Sequence, residues 1–150
     1  MVRTMKSKVC FLAVFFLLFF YARAGQAQNG QFEFLRTFLP GTYTLIGRTA
    51  EGGEPYQGRV TIALVNDSLR MIRKVQGRPT LRLSARLETA TADSVPVLRV
   101  AFTENGREWE ATYLIHSDLD NDARLTGYVY RRDGKTTQPG LEALFIQKKR

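Results

Sequence analysis

The stretch Tyr56-Gln57-Gly58-Arg59-Val60-Thr61-Ile62-Ala63-Leu64 decides the fold. Tyr56, Gly58, Val60, Ile62 and Leu64 occupy every second position, with Gln57, Arg59 and Thr61 between them. Successive side chains of a strand point to opposite faces, so this pattern describes a strand with one oily face and one wet face. The same period of two recurs along the chain. Tyr43-x-Leu45-x-Gly47 precedes it, Leu81-x-Leu83-x-Ala85-x-Leu87 alternates with Arg82, Ser84, Arg86 and Glu88, and Trp109-x-Ala111-x-Tyr113-x-Ile115 alternates with Glu108, Glu110 and Thr112.

Turn-forming clusters separate these runs: EGGEP at 51–55, NDS at 66–68, QGRP at 76–79, TATADS at 89–94, ENG at 104–106, DLDND at 118–122 and RDGKTTQPG at 132–140. Asn105-Gly106 is the clearest, because a tight hairpin needs positive φ at both central residues. Seven connections give eight strands, near 42–49, 55–65, 68–76, 79–88, 95–103, 107–117, 123–131 and 140–147. No gap holds a crossover helix, so neighbours pair as antiparallel hairpins. Eight such strands close into an up-and-down barrel or split into a β-sandwich. Closure removes the exposed edges, and at eight strands a barrel is just filled or holds one small ligand. The barrel is the expectation and the sandwich the alternative. A membrane barrel needs an apolar outside, and mid-strand Arg82 and Arg86 oppose it.

Before the strands, Phe32, Leu35 and Phe38/Leu39 fall at helical spacing and stop at Pro40-Gly41. A short amphipathic helix is expected there, with a strand bearing Phe32 and Phe34 on one side as the competing reading. Its apolar face needs a partner, which an open barrel end provides.

The first residues read as an export signal. Arg3, Lys6 and Lys8 precede an uncharged apolar run from Val9 to Ala22, shorter than the roughly 20 residues that span a bilayer. Small residues follow, giving a secretory signal over residues 1–27, with cleavage after Ala24 or Ala27. That segment contains four of the 22 basic residues and none of the 14 acids, so the net charge falls from +8 to +4 on cleavage. Nucleic acid is not an expected partner, and no transmembrane segment remains in the processed chain. The single cysteine, Cys10, leaves with the signal, so the processed chain has neither a disulfide nor a thiolate metal site. Export without disulfides fits a bacterial periplasm or secretion. Residues 28–41 then form a lead and the helix, and 42–150 the barrel domain.

Several short motifs follow in order: Gly41-x-Tyr43, Tyr56-x-Gly58, Leu125-x-Gly127 and Gly140-x-Glu142. Together they resemble small exported bacterial β-barrel proteins of the lipocalin-like, calycin type, across about residues 41–146. The resemblance implies a barrel and no particular activity. Lipocalins usually open their first strand with Gly-x-Trp, whereas this chain has Tyr43, and its lone tryptophan is Trp109.

Three features invite chemistry. Asp118, Asp120 and Asp122 alternate like the start of a calcium loop, but Ala123 and Val129 stand where its glycine and glutamate belong. They read as a hairpin cap, with weak calcium binding as the alternative. His116 precedes Asp118 by two, yet no nucleophile motif accompanies the pair, and one histidine cannot build a multi-histidine metal site. It reads as a solvated strand-end residue. Arg48, Arg59, Arg70, Arg82 and Arg86 form a candidate basic stripe on the outer face, open to an anionic glycan or a protein. Arg73 shares a face with Leu69, Met71 and Val75; it points inward to meet Glu142, or a shifted register turns Ile72 in and Arg73 out.

The candidate ligand-binding set is therefore Tyr43, Tyr56, Arg73, Trp109, Tyr113 and Glu142, with Phe102, Tyr128 and Phe145 joining if register allows. These aromatics line a pocket or fill a dry core. The expected function is non-enzymatic and needs no cofactor: binding of a small apolar or amphipathic molecule inside the barrel. The alternative is an inhibitor or surface-interaction protein, using loops such as 89–94 and 132–140 or the basic outer face.

Overall fold

Asn66 and Asp67 both adopt positive φ, 48° and 58°, and turn the chain between β2 (Pro55–Val65) and β3 (Ser68–Val75). A two-residue turn of this hand fixes the register of the hairpin, and Val60 pairs with Arg73. Asn105 and Gly106, at 53° and 70°, do the same between β5 (Val95–Glu104) and β6 (Arg107–Ile115), setting Phe102 opposite Trp109. The remaining strands are β1 (Gly41–Arg48), β4 (Leu81–Ala90), β7 (Ala123–Arg131) and β8 (Gly140–Ile146). All eight lie within about two residues of their sequence-based bounds.

These features belong to a computed structural model that describes residues 30–116 and 122–148. The strands pair in sequence order, each antiparallel to the next, and β8 returns to β1 to close the barrel. The closed barrel, rather than the sandwich, is the architecture. It is consistent with a lipocalin-like fold. A helix, α1, occupies residues 30–38, in place of the competing strand. The chain divides into two compact units, Met1–Leu35 and Arg36–Arg150, and the barrel lies in the second. Among the described residues no helix is long and apolar enough to cross a membrane. The signal and its cleavage sites, with Asp118 and Asp120, fall outside the described residues.

Alternation places Tyr43, Leu45, Ile62, Met71, Leu98, Leu125 and Leu144 inside, all fully buried. They fill the half of the barrel where β1 begins. Leu39 is fully buried too, and its carbonyl accepts a hydrogen bond of 2.6 Å from the Tyr43 hydroxyl. Arg124 donates to the Phe38 carbonyl at 3.3 Å and stacks over the Phe38 ring. The short connections 49–54, 76–80, 105–106 and 132–139 gather at the opposite end. There Glu51 N–H donates to the Gln138 carbonyl, tying two of these loops together.

The outer face carries charge in two ways. On β4 to β6, Arg86 and Arg99 both meet Glu88, at 3.0 and 2.9 Å, and Arg99 reaches on to Glu110 at 3.4 Å. On β2 and β3, Arg59 and Lys74 stand directly opposite each other, and neither strand contains an acid. Arg70 bonds the Ser84 hydroxyl. The expected basic stripe is therefore part ion network and part a patch whose own strands supply no acid.

Candidate functional site: the barrel mouth

One register row builds the floor of the open end. Tyr56 pairs with Gly47, Gly47 with Glu142, Glu142 with Gly127 and Gly127 with Tyr113, across β2, β1, β8, β7 and β6. A tyrosine two strands away from Glu142 reaches it only if the residue between has no side chain. A Cβ on Gly47 would lie 2.7 Å from the Tyr56 ring, and one on Gly127 would lie 2.3 Å from the Thr112 carbonyl oxygen. Both glycines are thus required by close approach, and the space beside Gly47 is taken by the Tyr56 ring rather than by a ligand.

Four polar side chains meet over that row. Glu142 Oε1 accepts from the Tyr56 hydroxyl and from Arg73 Nη2, both at 2.5 Å. Glu142 Oε2 accepts from the Tyr113 hydroxyl. Arg73 and Glu142 are each only 3% exposed. Charges this deep are tolerated when paired and hydrogen-bonded. The inward reading of Arg73 and its pairing with Glu142 hold; the shifted register does not.

The electrostatics follow from burial and from the one carboxylate. Burial pushes the Tyr56 and Tyr113 hydroxyls up, and the Glu142 charge they donate to raises them further. Burial alone would lower the Arg73 guanidinium, but the Glu142 charge overcomes it and holds the group above its ordinary value. The proton distribution is therefore fixed: both tyrosines neutral donors, Arg73 a cation. Arg73 also lies between two rings, 5.6 Å from the Tyr56 centroid and 5.3 Å from Phe102. Arg78 also stacks over the Tyr56 ring, 4.7 Å from its centroid.

Above this floor is a cavity of about 640 Å³. Its walls are Tyr56, Arg73, Phe102, Trp109 and Val129, and its rim includes Thr49, Glu51, Arg78, Glu104, Arg107, Arg131, Lys135 and Thr137. The volume lies within the usual range of small-molecule pockets, about 300–1,000 Å³. The rim acids are already engaged. Glu104 pairs with Arg78 at 3.0 Å, and Glu51 accepts from the Thr137 backbone and hydroxyl at 2.8 and 2.6 Å, which holds its carboxyl below the usual range.

The six residues singled out from sequence separate into three positions. Tyr56, Arg73 and Trp109 line the cavity. Glu142 and Tyr113 sit behind its floor, bonded to the residues that line it. Tyr43 lies at the far end, inside the solid half. Of the three conditional aromatics, Phe102 lines the cavity, Tyr128 faces outward at 54% exposure and Phe145 is on the outer face with Ala143. Sequence reasoning left out Arg78, Arg107, Arg131 and Lys135, which lie at strand ends and turns where alternation gives no direction. Phe102 was within reach, because the Asn105-Gly106 turn already sets it opposite Trp109.

His116, just past the end of β6 that lies away from the mouth loops, bonds Thr126 Oγ1 at 2.7 Å. Asp122 pairs with Lys148 at 2.9 Å. Among the described residues, no three acidic, histidine or cysteine side chains gather as a metal site. Neither a protein family nor a curated protein matches the chain.

Proposed function

We propose that this chain is an exported binding protein that holds a small amphipathic molecule in the mouth of its barrel. The cavity of about 640 Å³, walled by Phe102 and Trp109 and floored by Tyr56 and Arg73, carries the reading. Apolar walls with a few placed polar groups are the usual lining of a small-ligand site. The solid half leaves the ligand only the open end. Native mass spectrometry of the protein purified after export tests both parts. The expected result is a chain cleaved after Ala24 or Ala27 with a noncovalent mass that gentle activation removes. An uncleaved chain would sink the export reading. Failure to retain any small molecule from a broad metabolite and lipid panel would sink the binding reading.

The second reading is a surface interaction through the outer face of β2 and β3. Arg59 directly opposite Lys74 is the observation that favours it, since like charges across a strand pair are destabilising. An anionic glycan or an acidic protein surface would relieve that repulsion. Retention on a heparin column that Arg59→Gln with Lys74→Gln abolishes is the expected result. The loops 89–94 and 132–140 lie at opposite ends of the barrel, so a partner would engage one or the other.

A further inference from the structure

We infer that the ligand of the mouth is an organic anion, an apolar body ending in a single carboxylate or sulfonate. This rests on the reading of the mouth as a ligand site and adds the charge of what enters. Three observations point the same way. Arg73 lines the cavity, is 3% exposed, and its Nε finds no hydrogen-bond acceptor among the described residues. A guanidinium only donates, and a buried charged donor left unmet is costly. Three of the roughly four acceptor sites of the Glu142 carboxylate are already taken, by Arg73, Tyr56 and Tyr113.

The cavity lining adds the second observation. It contains five cations and two acids, and both acids are engaged by neighbours of the same rim. A cationic ligand would meet no unengaged carboxylate there. A neutral one would leave Arg73 Nε as it is. Arg73 Nε is shielded from solvent as it stands, so an anion drawn to the floor meets it by a small turn of the guanidinium, in the planar geometry that arginine favours for carboxylates.

The third is the arrangement of the walls. Arg78, Tyr56, Arg73 and Phe102 alternate as cation, ring, cation, ring. Phe102 stands opposite Trp109 on the neighbouring strand. The apolar body lies against this pair while the anion faces Arg73. Low-dielectric walls concentrate the field of the floor and rim charges on the opening, which raises the local concentration of anions.

Trp109 is the only tryptophan in the chain and lines the cavity, so its fluorescence reports occupancy directly. Two probes with one ring skeleton separate charge from hydrophobicity: 1-anilinonaphthalene-8-sulfonate and its uncharged parent, N-phenyl-1-naphthylamine. Each is titrated while Trp109 quenching is read. The sulfonate is expected to bind at least about tenfold tighter at low salt, with the difference shrinking as ionic strength rises. Arg107→Gln with Lys135→Gln, both on the exposed rim, should weaken the sulfonate about two- to fivefold and leave the neutral probe unchanged. The paired change Arg73→Met with Glu142→Leu removes the floor charges together. It should cut the preference to the roughly two- to fivefold that the rim cations supply, while the neutral probe still quenches Trp109. Equal binding of the two probes, tighter binding of the neutral one, or a preference undiminished by the paired change overturns the anion inference and leaves the mouth as a ligand site. Quenching by neither probe overturns both.

Discussion

The two halves of this barrel come from the same eight strands and the same alternation, yet they are filled on opposite principles. In the half where β1 starts, Tyr43, Leu45, Ile62, Met71, Leu98, Leu125 and Leu144 pack to full burial. In the half towards the loops, the inward positions hold Tyr56, Arg73, Tyr113 and Glu142, joined by hydrogen bonds, with a cavity above. An eight-stranded barrel is just wide enough either to be filled or to hold one small ligand. This one does each in a different half. The polar cluster is the partition: it closes the solid half with groups that bond one another, and its Arg73 lines the cavity on the other side.

The comparison is broken most strongly by removing one charge of the partition. Glu142→Ala strands a buried guanidinium and two tyrosine hydroxyls, and should cost about 3–5 kcal/mol in urea unfolding. Replacing both charges by apolar groups of similar size, Arg73→Met with Glu142→Leu, turns the floor into an extension of the solid half. Such replacements are often neutral or stabilising by about 1–4 kcal/mol. The double variant should therefore recover most of the loss. A double variant no better than Glu142→Ala would mean that the pair itself, rather than the relief of an orphaned charge, holds the mouth together.

In the solid half the corresponding change is Leu98→Ala. The lost transfer energy and the cavity left behind should cost about 2–5 kcal/mol, near the middle of that range because closed strands relax little. It should leave probe quenching of Trp109 unaltered, since Leu98 does not line the mouth. A change in probe affinity matching the loss of stability would show that the halves are coupled rather than separately built.

How much of this contrast was legible beforehand depends on which physical signal each residue obeys. Strand count, strand bounds and antiparallel order followed from alternation and turn chemistry, because a period of two fixes faces and a tight turn fixes neighbours. The inward direction of Arg73 was readable only after the register of its hairpin. Asn66-Asp67 supplies that register once both residues are taken as the whole turn. That Gly47 and Gly127 face inward and relieve crowding was legible, but the side chains they make room for were hidden, since a row across five strands depends on barrel closure, which brings β8 beside β1. The rim cations were hidden for another reason. Arg78 and Lys135 lie in connections, where no periodicity says which way a side chain points.

The tyrosines sharpen the comparison next. Tyr113→Phe removes a buried hydrogen bond to a charged acceptor and should cost about 1.5–3 kcal/mol, while Tyr43→Phe, in the solid half, loses its bond to the neutral Leu39 carbonyl and about 0.5–1.5 kcal/mol. Burial raises the Tyr43 hydroxyl as well, against the Arg124 charge, so alkali acts on all three inward tyrosines. Tyr56 and Tyr113 are held above the ordinary tyrosine value by burial and by Glu142. In the unfolded chain they titrate near pH 10. Above that pH the native state binds more protons than the unfolded one, so stability falls as pH rises and is intact below. Tyr113→Phe should make the alkaline fall of the unfolding midpoint shallower. An unchanged slope would mean that the hydroxyl is not donating to Glu142.

The smallest expected effect is at Trp109, and it probes the contrast from the empty side. The residue is half-buried and faces the cavity. Full burial of a large apolar side chain contributes about 1.5–3 kcal/mol, so trimming a half-buried one to Phe should cost below about 1. A comparable trimming within the solid half would leave a void sealed by neighbours, whereas here the space merges with the cavity already present. A loss of several kcal/mol on Trp109→Phe would mean that the indole is held as tightly as a core side chain, and the mouth would then be a packed end rather than a space for a ligand.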